Sequence, residues 1–169
     1  MPLNIRRIVT GHDAAGRSVI TIDDRGAHGL GNLAELWVTD ATPADNRGEA
    51  DATDRPVSLT PPAGGTTFRT FRVAPESAAA GMDAEQRAKL VRERFAAMNA
   101  ADALVDTSRH PAMHKTRTVD YIILLSGRVT LLLDDDEVDL EPFDVVVQRG
   151  TNHAWINRGD EPALLIAVL

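Results

Sequence analysis

Residues 119–169 read VDYIILLSGRVTLLLDDDEVDLEPFDVVVQRGTNHAWINRGDEPALLIAVL, and the fold is decided here. Val119 to Leu125, Val129 to Leu133, Val138 to Leu140, Val145 to Gln148, His153 to Asn157 and Ala163 to Leu169 are short apolar or alternating runs at close, even spacing. The residues between them, Ser126-Gly127, Asp134 to Asp136, Glu141 to Asp144, Arg149 to Asn152 and Arg158 to Glu161, favour turns. Short strands at such spacing predict an all-β antiparallel sandwich or barrel. Asp134 to Asp136 lacks the later Glu and the spacing of a calcium loop, so it reads as a hairpin turn.

Side chains at i, i+2 and i+4 of a strand share a face. His114, Thr116, Thr118 and Asp120 are therefore expected together on one inward face, and His153, Trp155 and Asn157 on another. Two imidazoles and a carboxylate so placed are the raw material of a metal site. Tyr121 has the opposite parity to Asp120 and is expected outside. Trp155 is a candidate for a pocket wall or for the core. His12, His28 and His110 lie among turn and loop residues and are read as structural.

Working further back, residues 83–102 predict one helix. Asp83 and Gln86 have the form of a capping box, and Leu90, Val91, Phe95, Met98 and Ala101 recur as one apolar stripe. Arg87, Lys89, Arg92, Glu93 and Arg94 are read as its solvated face. Thr66 to Val73 alternates as a strand, and residues 40–65 read as a long surface loop with little to offer a core. Ile5 to Thr10, Ser18 to Ile22 and Glu35 to Thr39 are further short strands between glycine turns.

The chain has 169 residues, enough for one domain with a real core. We divide it into residues 1–65, N-terminal strands and loop that complete or extend the barrel, and residues 66–169, the barrel with its helix. A formal charge of -7 with no basic run argues against nucleic acid. No apolar run is long enough to span a membrane, and the opening residues, Met1 to Arg7, lack a secretory segment; the expected compartment is the cytoplasm. With no cysteine, thiolate metal sites and disulfides are excluded, and any ion must be held by nitrogen and oxygen.

The motifs resemble those of the cupin superfamily. Its first motif, His-x-His with a following Glu and Gly, becomes His114-x-Thr116, then Asp120 after three residues and Gly127 after six more. Its second, Pro-x-Gly-x-x-His-x-x-x-Asn, becomes Gln148-Arg149-Gly150-Thr151-Asn152-His153 and, four residues on, Asn157. The resemblance implies a double-stranded β-helix, or jelly-roll barrel, with an N-terminal strand extension and one helical insertion. It also implies a divalent metal, iron, manganese, nickel or zinc, bound by His114, Asp120 and His153. Thr116 replaces a ligand imidazole, which leaves an open three-ligand set, and Asp120 is one methylene shorter than Glu. Phe143 stands where a turn glycine is usual, so the Glu141 to Asp144 turn is expected to avoid a positive φ.

Gln148 in place of Pro, together with Thr116, Trp155 and Arg149, is expected to shape a substrate pocket. The function implied is metal-dependent action on a small organic substrate, of oxygenase, decarboxylase or isomerase class. The alternative is a non-catalytic small-molecule-binding cupin with a degenerate metal site. A homodimer is implied as well, with the strands around Ile5 and Leu36 placed to add to a partner's sheet.

Overall fold

The computed structural model describes residues 5–25 and 28–169. The first four residues of the opening segment in which no secretory signal was read lie outside the described residues. Among the described residues there are eleven strands and one α-helix: β1 (Arg7–His12), β2 (Ser18–Asp24), β3 (His28–Leu30), β4 (Leu33–Thr39), β5 (Thr66–Val73), α1 (Ala84–Ala97), β6 (Asp120–Ser126), β7 (Val129–Leu132), β8 (Glu137–Leu140), β9 (Val145–Gln148), β10 (Ala154–Ile156) and β11 (Ala163–Val168). They form a six-stranded sheet ordered β3-β4-β5-β11-β6-β9, a three-stranded sheet ordered β10-β7-β8, and the separate hairpin β1-β2. Among the described residues no helix is long and apolar enough to cross a membrane.

Alternation explains how the two larger sheets meet. Ile122 and Leu124 of β6 and Ala163, Leu165 and Ala167 of β11 point inward, where they pack against Val129 and Leu131 of β7 and Leu140 of β8. This is the interior of an all-β jelly roll. Residues of the other parity in the small sheet, Leu132, Ala154 and Ile156, are covered by Met113, which is why all of β7 is buried. The helix packs Phe95 and Met98 on Leu33 of β4, and Val57 and Leu59 join them, so the long loop does contribute to a core. That loop is also pinned by Arg7, which bonds Asp51 and the fully buried Thr53.

The capping box appears as expected, with the Asp83 side chain accepting from the Gln86 amide and Gln86 returning a bond to Asp83. Two motif glycines are needed sterically. Gly127 has φ +82 and a Cβ there would lie 2.7 Å from the Ala163 Cα; Gly150 has φ +64 and its Cβ would come within 2.9 Å of the Thr116 carbonyl. Gly150 thus lets the loop before β10 close on the segment before β6.

Several expectations meet a different structure. Phe143 has φ +77, so the turn does adopt the left-handed conformation. Pro142 fixes the preceding φ, and the Asp144 amide donates to the Glu141 carbonyl at 3.0 Å; the turn type demands a positive φ whichever residue occupies the site. Residues 115–119 belong to no strand and bend at Arg117 and Thr118, and His114 forms an isolated bridge to His153 instead of sharing a strand with Asp120. His28 lies in the short strand β3, not in a turn. The Leu36 strand, β4, pairs with β5 of its own chain.

Candidate functional site

At one end of the sandwich, under α1, lies a cavity of about 430 Å³. Its walls come from β5, β6, β10, β11 and the helix, and its floor includes Ala167 and Ile122. An aromatic series runs along one side. Phe95 meets the His114 ring edge-on at 4.9 Å, His114 and His153 lie 4.3 Å apart, His153 meets Trp155 at 5.7 Å, and Trp155 faces Phe71 at 6.3 Å. Trp155 is therefore both wall and core, since it also packs on the main apolar cluster.

The two histidines are placed by backbone pairing. The His114 amide donates to the His153 carbonyl and the His153 amide to the His114 carbonyl, each at 2.9 Å. His114 Nδ1 lies 2.9 Å from the Ala112 carbonyl and His153 Nδ1 lies 3.0 Å from the Thr151 carbonyl. A carbonyl can only accept, so each Nδ1 carries the proton and each neutral ring keeps its Nε2 lone pair. Burial disfavours protonation of both; His153, with His114 also against it, is pushed down to about 3.

Asp120 opens β6 and lines the same cavity. Its Oδ1 is buried without a hydrogen-bond partner. Burial raises its carboxyl above the usual range, while a bond from Thr118 and the positive Arg69 oppose that rise. Thr116 is buried on the cavity with its hydroxyl 2.6 Å from that of Thr118. Across the sheet, Arg69 pairs with Glu35 at 2.9 Å, both almost wholly buried, and donates to the carbonyls of Leu59 and Ser58.

Of the residues expected at the site, His114, Thr116, Asp120, His153 and Trp155 line this cavity, and Gln148 and Arg149 do not. Gln148 is buried but turns its amide to the Thr151 carbonyl and hydroxyl, stiffening the loop before His153. Arg149 is exposed beyond the cavity. As for a metal, among the described residues no three His, Asp or Glu side chains converge in a group that could hold an ion. The two imidazoles face each other, and Asp120 does not complete their set. The donors present thus fall short of the three-ligand centre that the motifs imply.

Other residues of the cavity escaped the sequence reading. His110 lines it, with Nε2 3.6 Å from Glu76 and its protonation disfavoured chiefly by burial. Arg87 and Arg94 line it as well, although both were assigned to the solvated face of the helix. Positions 87, 90, 91, 94 and 98 fall on one helical face by spacing alone, and that signal could have found them. Lys89 and Glu93, with Arg92 and Glu85, form the outer face instead.

A fold of this kind, with an interior cavity at the motif histidines, defines a class that comparison with known proteins identifies. Residues 105–169 match the family model described as Cupin domain. The chain is 31% identical over 160 residues to phomopsin biosynthesis cluster protein C' of Diaporthe leptostromiformis, covering 90% of this chain and 70% of that protein. It is 31% identical over 162 residues to phomopsin biosynthesis cluster protein D of the same organism, with the same coverage of 90% and 70%. A solved structure, the cupin domain of Cnp3 from Schizosaccharomyces pombe, is similar with a TM-score of 0.43 at 10% identity, over 99% of this chain and 83% of that one. The chain belongs to the cupin superfamily.

Proposed function

We propose that this protein is a small-molecule-binding cupin whose cavity takes an organic compound handled in a biosynthetic cluster. The cavity carries the reading. At about 430 Å³ it falls in the range of small-ligand sites, and its largely apolar wall is interrupted by the Nε2 atoms of two neutral imidazoles and by the Asp120 carboxyl. The relatives named for phomopsin biosynthesis clusters support the biosynthetic setting. Thermal melting of the purified chain against a panel of small organic compounds, under chelation, tests it. A rise in Tm that is lost in Ala167→Phe, which fills the floor, is expected; no rise with any compound refutes the reading.

A second reading has one observation in its favour. Both Nδ1 atoms are committed to backbone carbonyls, the arrangement that orients metal-binding histidines. Here His114 and His153 would hold iron, manganese, nickel or zinc, and Asp120 would have to move toward them to supply the third ligand. Metal titration of the wild type and His153→Ala tests it: one equivalent bound and then lost supports the reading, and no binding of any of the four ions overturns it.

We propose further that the partner is a second copy of this chain. The outer face of the large sheet presents Tyr121, Ile123, Val145, Val147 and Val168, all exposed, with Tyr121 opposite Val147 and Ile123 opposite Val145. Exposed Phe143 adjoins them at the edge, and β9 ends the sheet without a Pro or Lys to block pairing. These residues carry no charge, so two chains of charge -7 can meet there with little repulsion.

A further inference from the structure

The face of α1 that overhangs the cavity carries Arg94 beside Leu90, Val91 and Met98. Arg94 is reachable from solvent and close enough to His114 to disfavour protonation of that ring. Among the described residues its guanidinium has no carboxylate within ion-pair distance and no side-chain hydrogen bond, and burial is the one influence that lowers its pKa. The other helix arginines are differently engaged: Arg92 pairs with Glu85 at 2.8 Å on the outer face, and Arg87 donates to the Met82 carbonyl at 3.1 Å. Arg69, deeper in the cavity, is paired with Glu35. Arg94 is thus a cation with its fork of donors unspent at the mouth of an apolar chamber.

A guanidinium in that position matches a planar anion bidentately, and partial exclusion of water strengthens the pairing. Two neutral histidines add no competing positive charge, and the carboxylates that line the cavity are Asp120, at the start of β6, and Glu76, 3.6 Å from His110. We propose that the cavity's ligand is an organic carboxylate with an apolar body, whose carboxylate pairs with Arg94 and whose body lies along Phe95, Trp155 and Phe71. This inference rests on the small-molecule reading above and specifies the ligand's chemical class.

The probes are matched pairs, 3-phenylpropanoate with 3-phenylpropanamide and octanoate with octanamide, titrated calorimetrically into the wild type, Arg94→Gln, Arg94→Lys and Arg92→Gln. In the wild type the acid of at least one pair is expected to bind about tenfold or more tightly than its amide, a difference of roughly 1.4 kcal/mol. Arg94→Gln abolishes that preference and leaves the amide unchanged, Arg94→Lys keeps part of it, and Arg92→Gln keeps all of it. Unaltered melting of Arg94→Gln, expected for an exposed helix position, separates a lost anchor from a lost fold. If acid and amide bind equally to the wild type, or the preference survives Arg94→Gln, the carboxylate inference falls and the small-molecule reading stands. If no probe binds, the carboxylate inference falls, and the small-molecule reading is decided by the compound panel under chelation.

Discussion

Arg69→Met removes the cation from a buried cluster, and its cost can be worked from the structure. Arg69 and Glu35 lie 2.9 Å apart, which at an effective dielectric of ~20 is a gross attraction of about 6 kcal/mol. Desolvation of both ions offsets much of it: burial raises Glu35 above 4.5 even with the cation present, and one Glu35 oxygen and Arg69 Nε have no hydrogen-bond partner. Without Arg69 the buried Glu35 is expected to take up a proton. From 4.5 to pH 7 that costs about 3.5 kcal/mol, at about 1.4 kcal/mol per unit. The carbonyls of Leu59 and Ser58 lose their donor too, so the total should be about 3–5 kcal/mol, as when one member of a buried ion pair is removed.

The pH dependence provides the check. The folded variant holds a proton that the unfolded chain releases above 4.5, so its stability falls as pH rises and recovers in acid. Urea denaturation followed by the fluorescence of Trp37 and Trp155 should show the loss shrinking by about 2 kcal/mol between pH 7 and pH 5. Glu35→Gln/Arg69→Met has no titrating group at position 35 and should lose most of that slope. A loss below about 1 kcal/mol, or one equal at the two pH values, would refute the reasoning.

Phe143→Gly should stabilise the chain by about 1 kcal/mol, because φ +77 penalises a side chain and Phe143, 78% exposed, gives up little burial; the urea midpoint reports it. His153 is neutral when folded, with its pKa lowered from 6.5 to about 3, so the unfolded chain binds the extra proton and stability falls as pH drops through that window. Its share between pH 7 and pH 5 is about 2 kcal/mol, and His153→Asn should flatten the stability profile by that amount; an unchanged profile counts against a neutral buried ring. Tyr121→Asp/Val147→Lys should turn a dimer into a monomer in light scattering with Tm little changed, and a wild type already monomeric at high concentration removes the basis for the test.

Much of the barrel was legible because strands such as β6 and β11 bury one face and therefore alternate. Thr66 to Val73 and Val145 to Gln148 were delimited to the residue, and Asp83 with Gln86 marked where the helix begins. The failures have physical reasons. Alternation was extended through residues 115–119, but a bend there reorients the chain; His114 reaches the cavity through its backbone pairing with His153, and parity with Asp120 has no part in it. Gln148 was expected in the pocket, but a buried amide needs partners, and Thr151 three residues on supplies them. The Glu35–Arg69 pair was invisible because it joins β4 to β5 across a register that a single strand's pattern does not encode.

The helix was read by its apolar stripe, and every charged residue beside that stripe was sent to solvent. A helix that roofs a cavity does not divide so simply. Its inward face has an apolar part that meets the core at Phe95 and Met98, and a border that meets the cavity at Arg87, Leu90 and Arg94. A border arginine can lay its methylenes along the wall and keep its guanidinium at the mouth, so its chemistry faces the ligand while its area remains partly exposed. The motif glycines, by contrast, act on backbone alone, holding the 149–152 loop on the 116–118 segment whichever side chains surround them. Barrel and insertion therefore contribute separately: Gly150 and the paired backbones of His114 and His153 fix where two imidazoles stand, and the helix between β5 and β6 determines what can approach them.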